Sequence, residues 1–333
     1  MPVRLGWDAM LAEFRALGGT AENIILRQGP RGRGVFPVDP AKPIRLHSPS
    51  NLLVCAEDTE IRDGRFVVKA SATLGERERA FFDNYQQDFV WGAGVFDDLW
   101  QAPFEWSQLP QEIQDTLPVS RSRFAEPSVE LCRQQYLRTR SISYRNSSVV
   151  MPVMEFVNHG SGFSGYEFKD GIVIGGVFDG EVLVNYGVGD CWDLATSYGF
   201  CDARDYAYGL KGAFKFEDCR IDISRTFKLV EPFNDYMLPI VRVEGDTVRF
   251  PFLTLGNSKF PHLPRLIFLR ITKNTPIKRP DELFELVHHY NRLLLLRFLR
   301  RSEGPAIPLV ATLRSAAYQQ LETLSSYWGT ASP

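Results

Sequence analysis

The sequence lacks a C-x-x-C pair. Its five cysteines (Cys55, Cys132, Cys191, Cys201 and Cys219) are scattered and odd in number, which argues against a zinc cluster and fits free thiols in a reducing compartment. Long apolar runs are also missing: the leucine run at 293–296 falls far short of the roughly 20 residues a membrane-spanning helix requires. The start, Met1-Pro-Val-Arg-Leu-Gly-Trp-Asp8, has no charged segment followed by an apolar one. No secretory signal is expected, and the expected location is the cytosol, with the nucleus as the other choice. Charge bias is equally absent. Lys and Arg number 38 against 40 Asp and Glu, a formal net charge of −2, so bulk electrostatics gives no reason to expect a nucleic-acid partner. What is present is globular composition, 44% hydrophobic and 23% charged over 333 residues, enough for one elaborated domain or two ordinary ones.

Periodicity predicts an amphipathic helix over 8–17, where Trp7, Met10, Leu11, Phe14 and Leu17 follow helical spacing and Gly18-Gly19 supplies a stop. Short strand-like pieces follow at 24–26, 35–36 and 44–46, separated by Gly and Pro. From 74 to 136 the chain reads as helical, best at 76–89 and 109–117. Strand signal returns at 149–160, a run so rich in Val and Met that it reads as one buried strand. The runs 166–168, 172–174 and 181–184, parted by Asp170-Gly171 and Asp179-Gly180, read as a meander. Further strands are expected at 220–229, 238–243, 247–253 and 266–271. Pro280-Asp281 opens a long helix to 301, and a last helix covers 308–327.

Several short motifs fail their obvious tests. Gly29-Pro-Arg-Gly-Arg-Gly34 is followed by Pro37 and Pro40, which forbid the helix a dinucleotide fingerprint needs, and Val35 stands where a P-loop requires Lys. It reads as a strand, a glycine turn and a second strand. Gly160-Ser-Gly-Phe-Ser-Gly165 does not match a nucleophile elbow and reads as a loop. His288-His289 are adjacent rather than four apart, so they read as partly solvated helix residues, not metal ligands. Arg297, Arg300 and Arg301 suit the negative end of their helix. Asn158-His159, polar at the end of an apolar run, need partners from the chain or from a ligand.

Taken together and in order, these pieces form a pattern. Gly32-Arg-Gly34, a helical insert, Thr139-Arg140, Pro152 through Asn158-His159, Tyr186-Gly187 and Tyr198-Gly-Phe200 resemble the motif order of SET-domain methyltransferases. The branch they are most similar to is typified by the Rubisco large-subunit lysine methyltransferase, in which a helical insert splits the SET core and a C-terminal lobe follows. The likeness covers about 7–202.

The resemblance implies an α+β fold: a β-rich SET core of small sheets with a knot-like active site, a helical insert at about 74–136, and an extension over 204–333 that ends in helices and is a candidate for substrate docking. It implies S-adenosylmethionine as cofactor, methyl transfer to a lysine of a protein or peptide, and no metal. Carried over, Arg31, Gly32 and Arg33 would contact the cofactor, Arg140 would lie near its methionine end, Asn158 would hold its amino group and His159 its adenine edge. Tyr186 would sit at the methyl group, and Tyr166, Tyr198 and Phe200 would line the channel for the target side chain. Glu155 stands where the family commonly has Asp, and 203–271 reads as β-rich where that branch has a helical lobe. A histidine or small-amine acceptor, or a non-catalytic peptide-binding module, are the alternatives.

Overall fold

The computed structural model describes residues 6–92, 95–187, 189–225 and 238–329, without the side chains of 95–99 and 328–329. Contacts divide the chain into two units: Met1–Phe104 with Glu126–Gly187, and Glu105–Ala125 with Val188–Pro333. Among the described residues no helix is long and apolar enough to cross a membrane.

The first unit opens with helix α1 (Trp7–Ala16), which buries Met10, Leu11 and Phe14 on one face and stops where Gly18 adopts a φ of +95°. Strands β1 (Thr20–Glu22), β2 (Ile24–Gly29), β3 (Gly32–Pro37) and β4 (Ile44–Ser48) follow. Gly29 pairs with Gly32 across β2 and β3, so Pro30 and Arg31 form the tip of a two-residue hairpin. Gly32, at φ +89°, takes a backbone conformation that side-chain-bearing residues resist. Next come β5 (Val54–Cys55), β6 (Thr59–Arg62) and β7 (Arg65–Val68), then α2 (Glu76–Tyr85), a π turn at Gln86–Val90, α3 (Val95–Ser107), whose last residues belong to the second unit together with α4 (Gln111–Gln114), and α5 (Val129–Arg140). Strands β8 (Ser141–Tyr144), β9 (Ser147–Val150), β10 (Asn158–His159), β11 (Glu167–Lys169), β12 (Gly171–Gly176) and β13 (Leu183–Val184) complete the unit. Its largest sheet has the antiparallel order β1-β4-β12-β11. Phe14, Phe66, Phe81, Phe82, Tyr85, Tyr136 and Phe156 are fully buried in one core, each removing well over 100 Å² from water.

Two expectations for this unit are overturned. The run 149–160 is not one strand: β9 ends at Val150, Pro152 has no N–H to give a ladder, and Val153 sits at φ 69°, ψ −47°, a strained γ-turn region for a β-branched residue. A 3-10 turn, Met154–Phe156, then leads into β10. Nor is 166–184 a meander. The β11–β12 hairpin turns at Asp170-Gly171 as expected, but both edges of β12 are already bonded to β11 and β4. The segment 181–184 therefore pairs elsewhere, with β13 running parallel to β10.

The second unit contains α6 (Cys191–Tyr198), β14 (Tyr206–Tyr208), β15 (Gly212–Phe216), β16 (Cys219–Ile223), β17 (Arg242–Glu244), β18 (Thr247–Phe250), β19 (Thr254–Asn257), α7 (Leu263–Thr272), α8 (Pro280–Arg301) and α9 (Pro308–Gly329). Its four-stranded sheet has the order β15-β16-β18-β17; residues 226–229 of the expected strand lie outside the described residues. Asp190 and Asp193 form a capping box on α6, and Arg225 bonds both, at 2.5 Å and 2.8 Å. Burial opposes the Arg225 charge, but the two carboxylates outweigh it and raise its pKa. Contrary to expectation, 266–271 is helical: Pro264 stands at the start of α7, and Pro264, Phe268 and Thr272, four apart, form its buried face.

His288 is also a correction, because it is wholly buried rather than partly solvated. Its Nε2 lies 3.1 Å from the Leu324 carbonyl oxygen on α9. Burial pushes its pKa down to about 4, against a weaker opposing pull from that carbonyl. Since the folded value lies below that of the unfolded chain, acid favours unfolding: the stability is present above about pH 6.5 and is lost as pH falls toward about 4, at about 1.4 kcal/mol per unit. Melting temperatures measured from about pH 7 to about pH 4.5 should fall more steeply for the wild type than for His288→Leu; parallel decline would contradict the assignment.

Candidate active site

The hairpin of β2 and β3 carries the first part of the site. Gly34, buried on β3, faces two polar side chains so closely that an added Cβ would lie 2.9 Å from Asn158 Nδ2 and closer still to Glu181 Oε1. Only a residue without a Cβ permits this approach. Asn158 donates from Nδ2 to Glu181 Oε1 at 2.6 Å and to the Arg33 carbonyl at 3.3 Å. From the hairpin tip Arg31 reaches back, its Nη1 3.3 Å from Glu181 Oε2. A carboxylate and a primary amide thus pack directly on the Gly34 backbone, with a guanidinium bonded to the carboxylate.

The second part comes from the parallel pairing of β10 with β13, in the register Asn158 to Leu183 and His159 to Val184. Gly160 N extends it, donating to Val184 O at 3.0 Å, and Val182 N donates to Val35 O at 2.8 Å, which ties the lead-in of β13 to β3. Tyr186 follows two residues after β13. Its backbone N donates to His159 Nδ1 at 3.1 Å, and its hydroxyl donates to Val157 O at 2.9 Å. The His159 and Tyr186 rings lie 5.1 Å apart. Three segments distant in sequence, 31–34, 157–159 and 181–186, therefore meet here.

Behind them lies a buried polar layer. Glu155, only 2% exposed, accepts from Tyr136 Oη at 2.9 Å, and Gln86 Nε2 donates to the same Tyr136 oxygen at 2.7 Å. Burial raises the Glu155 pKa, while the Arg140 charge and the hydroxyls of Tyr85 and Tyr136 pull it back. Burial likewise pushes Tyr136 well above the usual tyrosine range, reinforced by the neighbouring carboxylate. Arg140 Nη1 donates to the Glu155 carbonyl at 2.6 Å. Arg33 donates to the Phe89 carbonyl and stands 4.8 Å over the Phe156 ring, a cation–π contact.

Arg31, Gly32, Arg33, Arg140, Asn158, His159 and Tyr186 all lie in the first unit; Arg31 and the Arg33 carbonyl are linked to Asn158, the first through Glu181, and His159 is bonded to Tyr186, while Arg140 is bonded to the Glu155 carbonyl. Tyr166 packs partly buried against the same core. Tyr198, the last residue of α6, and Phe200 belong to the second unit, with rings 5.9 Å apart. Sequence reasoning missed Glu181, Tyr136 and Gln86. Glu181 had a local signal, an acidic residue directly before the buried Val182-Leu183-Val184 run. Among the described residues no group of His, Cys, Asp and Glu side chains is arranged to hold a metal.

No family model and no curated protein matches the sequence. Among solved structures the chain is similar to Rubisco LSMT bound to AdoMet, over 97% of this chain and 90% of that one, with a TM-score of 0.50 and 14% identity. The SET domain of LSMT bound to lysine and AdoHcy also matches, over 97% of this chain and 90% of that one, at a TM-score of 0.46 and 13% identity. By its fold, an α+β arrangement of small sheets with C-terminal helices, the chain is similar to the SET-domain protein Rubisco LSMT.

Proposed function

We propose that the chain is an S-adenosylmethionine-dependent methyltransferase that methylates a lysine side chain of a protein, with the SET-type domain in 1–203 and a β-plus-helical extension in 204–333. The observation that carries this reading is the position of Tyr186, whose hydroxyl is fixed on Val157 O beside the Gly34, Asn158 and Glu181 cluster.

The donor set suits the cofactor. Its amino-acid end carries an ammonium and a carboxylate, and Glu181, Arg31 and Asn158 present an anion, a cation and an amide beside Gly34, where a Cβ would run into Glu181 and Asn158. His159 and the backbone of β10 would take the adenine edge, with Gly32, Arg33 and Arg140 on the remaining sides. When bound, the cofactor supplies an electrophilic methyl group on a sulfonium. The task left to the protein is alignment, since methyl transfer gains most from holding the acceptor nitrogen in line. An ammonium has no lone pair to attack with, so the site must favour the neutral amine; aromatic, water-poor surroundings do so by desolvation. Tyr186, with its hydroxyl proton committed to Val157 O, turns oxygen lone pairs outward, where they can accept from an amine N–H.

Tyr186→Phe keeps the ring and removes the hydroxyl. Calorimetric affinity for S-adenosylhomocysteine should stay near wild type, while methyl-lysine formed in a cell extract from labelled cofactor should fall about a hundredfold or more; retained methyl-lysine formation would contradict the role of Tyr186. Gly34→Ala drives a methyl group at Asn158 and Glu181. Its affinity for the same ligand should drop about tenfold or more, and unchanged affinity would remove Gly34 and its contacts from the site.

A further inference from the structure

Glu181 and Arg31 form an asymmetric ion pair. The Glu181 side chain is only 4% exposed, whereas the Arg31 side chain is 50% exposed at the hairpin tip. The anion is thus fixed, held by Asn158 at 2.6 Å, while the cation is half exposed to water. Such a half-exposed pair contributes little to folding, and sinking a carboxylate this deep costs more than the pair returns unless something else compensates. Orienting Asn158 alone would need only a neutral acceptor. A carboxylate with a detachable guanidinium is the complement of a molecule carrying both an ammonium and a carboxylate.

We infer that the Arg31–Glu181 pair is an internal stand-in for the α-amino-acid end of the cofactor: on binding the pair exchanges partners, Glu181 taking the α-ammonium and Arg31 the α-carboxylate. This rests on the cofactor reading above. No covalent bond changes and total charge is conserved, since one ion pair opens and two form. Asn158 keeps its bond to Glu181 and orients it. The exchange makes Glu181 and Arg31 the residues that discriminate the complete cofactor from nucleosides that lack either charge.

The test is calorimetry with S-adenosylhomocysteine and two analogues, one without the α-amino group and one without the α-carboxylate. Glu181→Gln should weaken the parent ligand about tenfold or more, the scale of one charged hydrogen bond, and leave the des-amino analogue close to its wild-type affinity. Arg31→Met should do the same, with the des-carboxyl analogue spared. Equal losses for parent and analogue in each variant, the pattern of a structural prop, would overturn the inference while leaving the cofactor reading intact. A wild-type protein that binds none of the three ligands would overturn both. If circular dichroism shows Glu181→Gln unfolded, the Arg31→Met comparison decides, because that half-exposed side chain can be replaced without disturbing the core.

Discussion

The site depends on one short interaction, the parallel pairing of β10 with β13. Two strands of two residues each cannot hold themselves together in water. Their pairing survives because its neighbours leave no other arrangement: Gly160 extends the ladder onto Val184, and Val182 is bonded to β3. Val157, Val182, Leu183 and Val184 are all buried, each side chain giving about 1.5–3 kcal/mol on leaving water. This pairing sets Tyr186 against His159 and Val157. Without it, the Asn-His and Tyr-Gly segments would be two loops with no shared chemistry.

Strain and buried polarity surround that pairing. The unusual backbone of Val153, worth about 1–3 kcal/mol in cost, redirects the chain from β9 so that β10 can run beside β13. Directly after it, Glu155 is buried with Tyr136, its carboxylate raised by burial and restrained by Arg140 and tyrosine hydroxyls. The layer is not fully satisfied: Gln86 Oε1 is buried with no hydrogen-bond partner among the described residues, a cost in a low-dielectric core that the bonds around Tyr136 and Glu155 offset. Arg140, bonded to the Glu155 carbonyl, couples this layer to the end of α5.

Local chemistry was the legible part of the sequence. The Gly29 to Gly34 hairpin, the Asp170-Gly171 turn, α1 and the long helices α8 and α9 follow from glycine conformation, apolar spacing and proline placement, all properties of a few adjacent residues. Non-local competition was not legible. Nothing near 181–184 says that β12 has no free edge, so the Asp179-Gly180 turn looked like another hairpin. Nothing near 266–271 separates a buried strand from a helix face until the packing of Pro264, Phe268 and Thr272 is known. For the same reason Asn158, His159 and Tyr186 were found through motif order, while Glu181, whose partners Arg31 and Asn158 lie 150 and 23 positions away, escaped notice.

We read the convergence of Gly34, Asn158, Glu181 and Tyr186 as a ligand site and not merely a packed junction. Thermal denaturation with increasing S-adenosylhomocysteine tests it most directly, because a ligand that binds only the native state must stabilise it by RT ln(1 + [L]/Kd). A melting temperature that climbs steadily with the logarithm of ligand concentration, and fails to climb in Gly34→Ala, is the predicted result. A melting temperature unmoved at saturating ligand would contradict the claim.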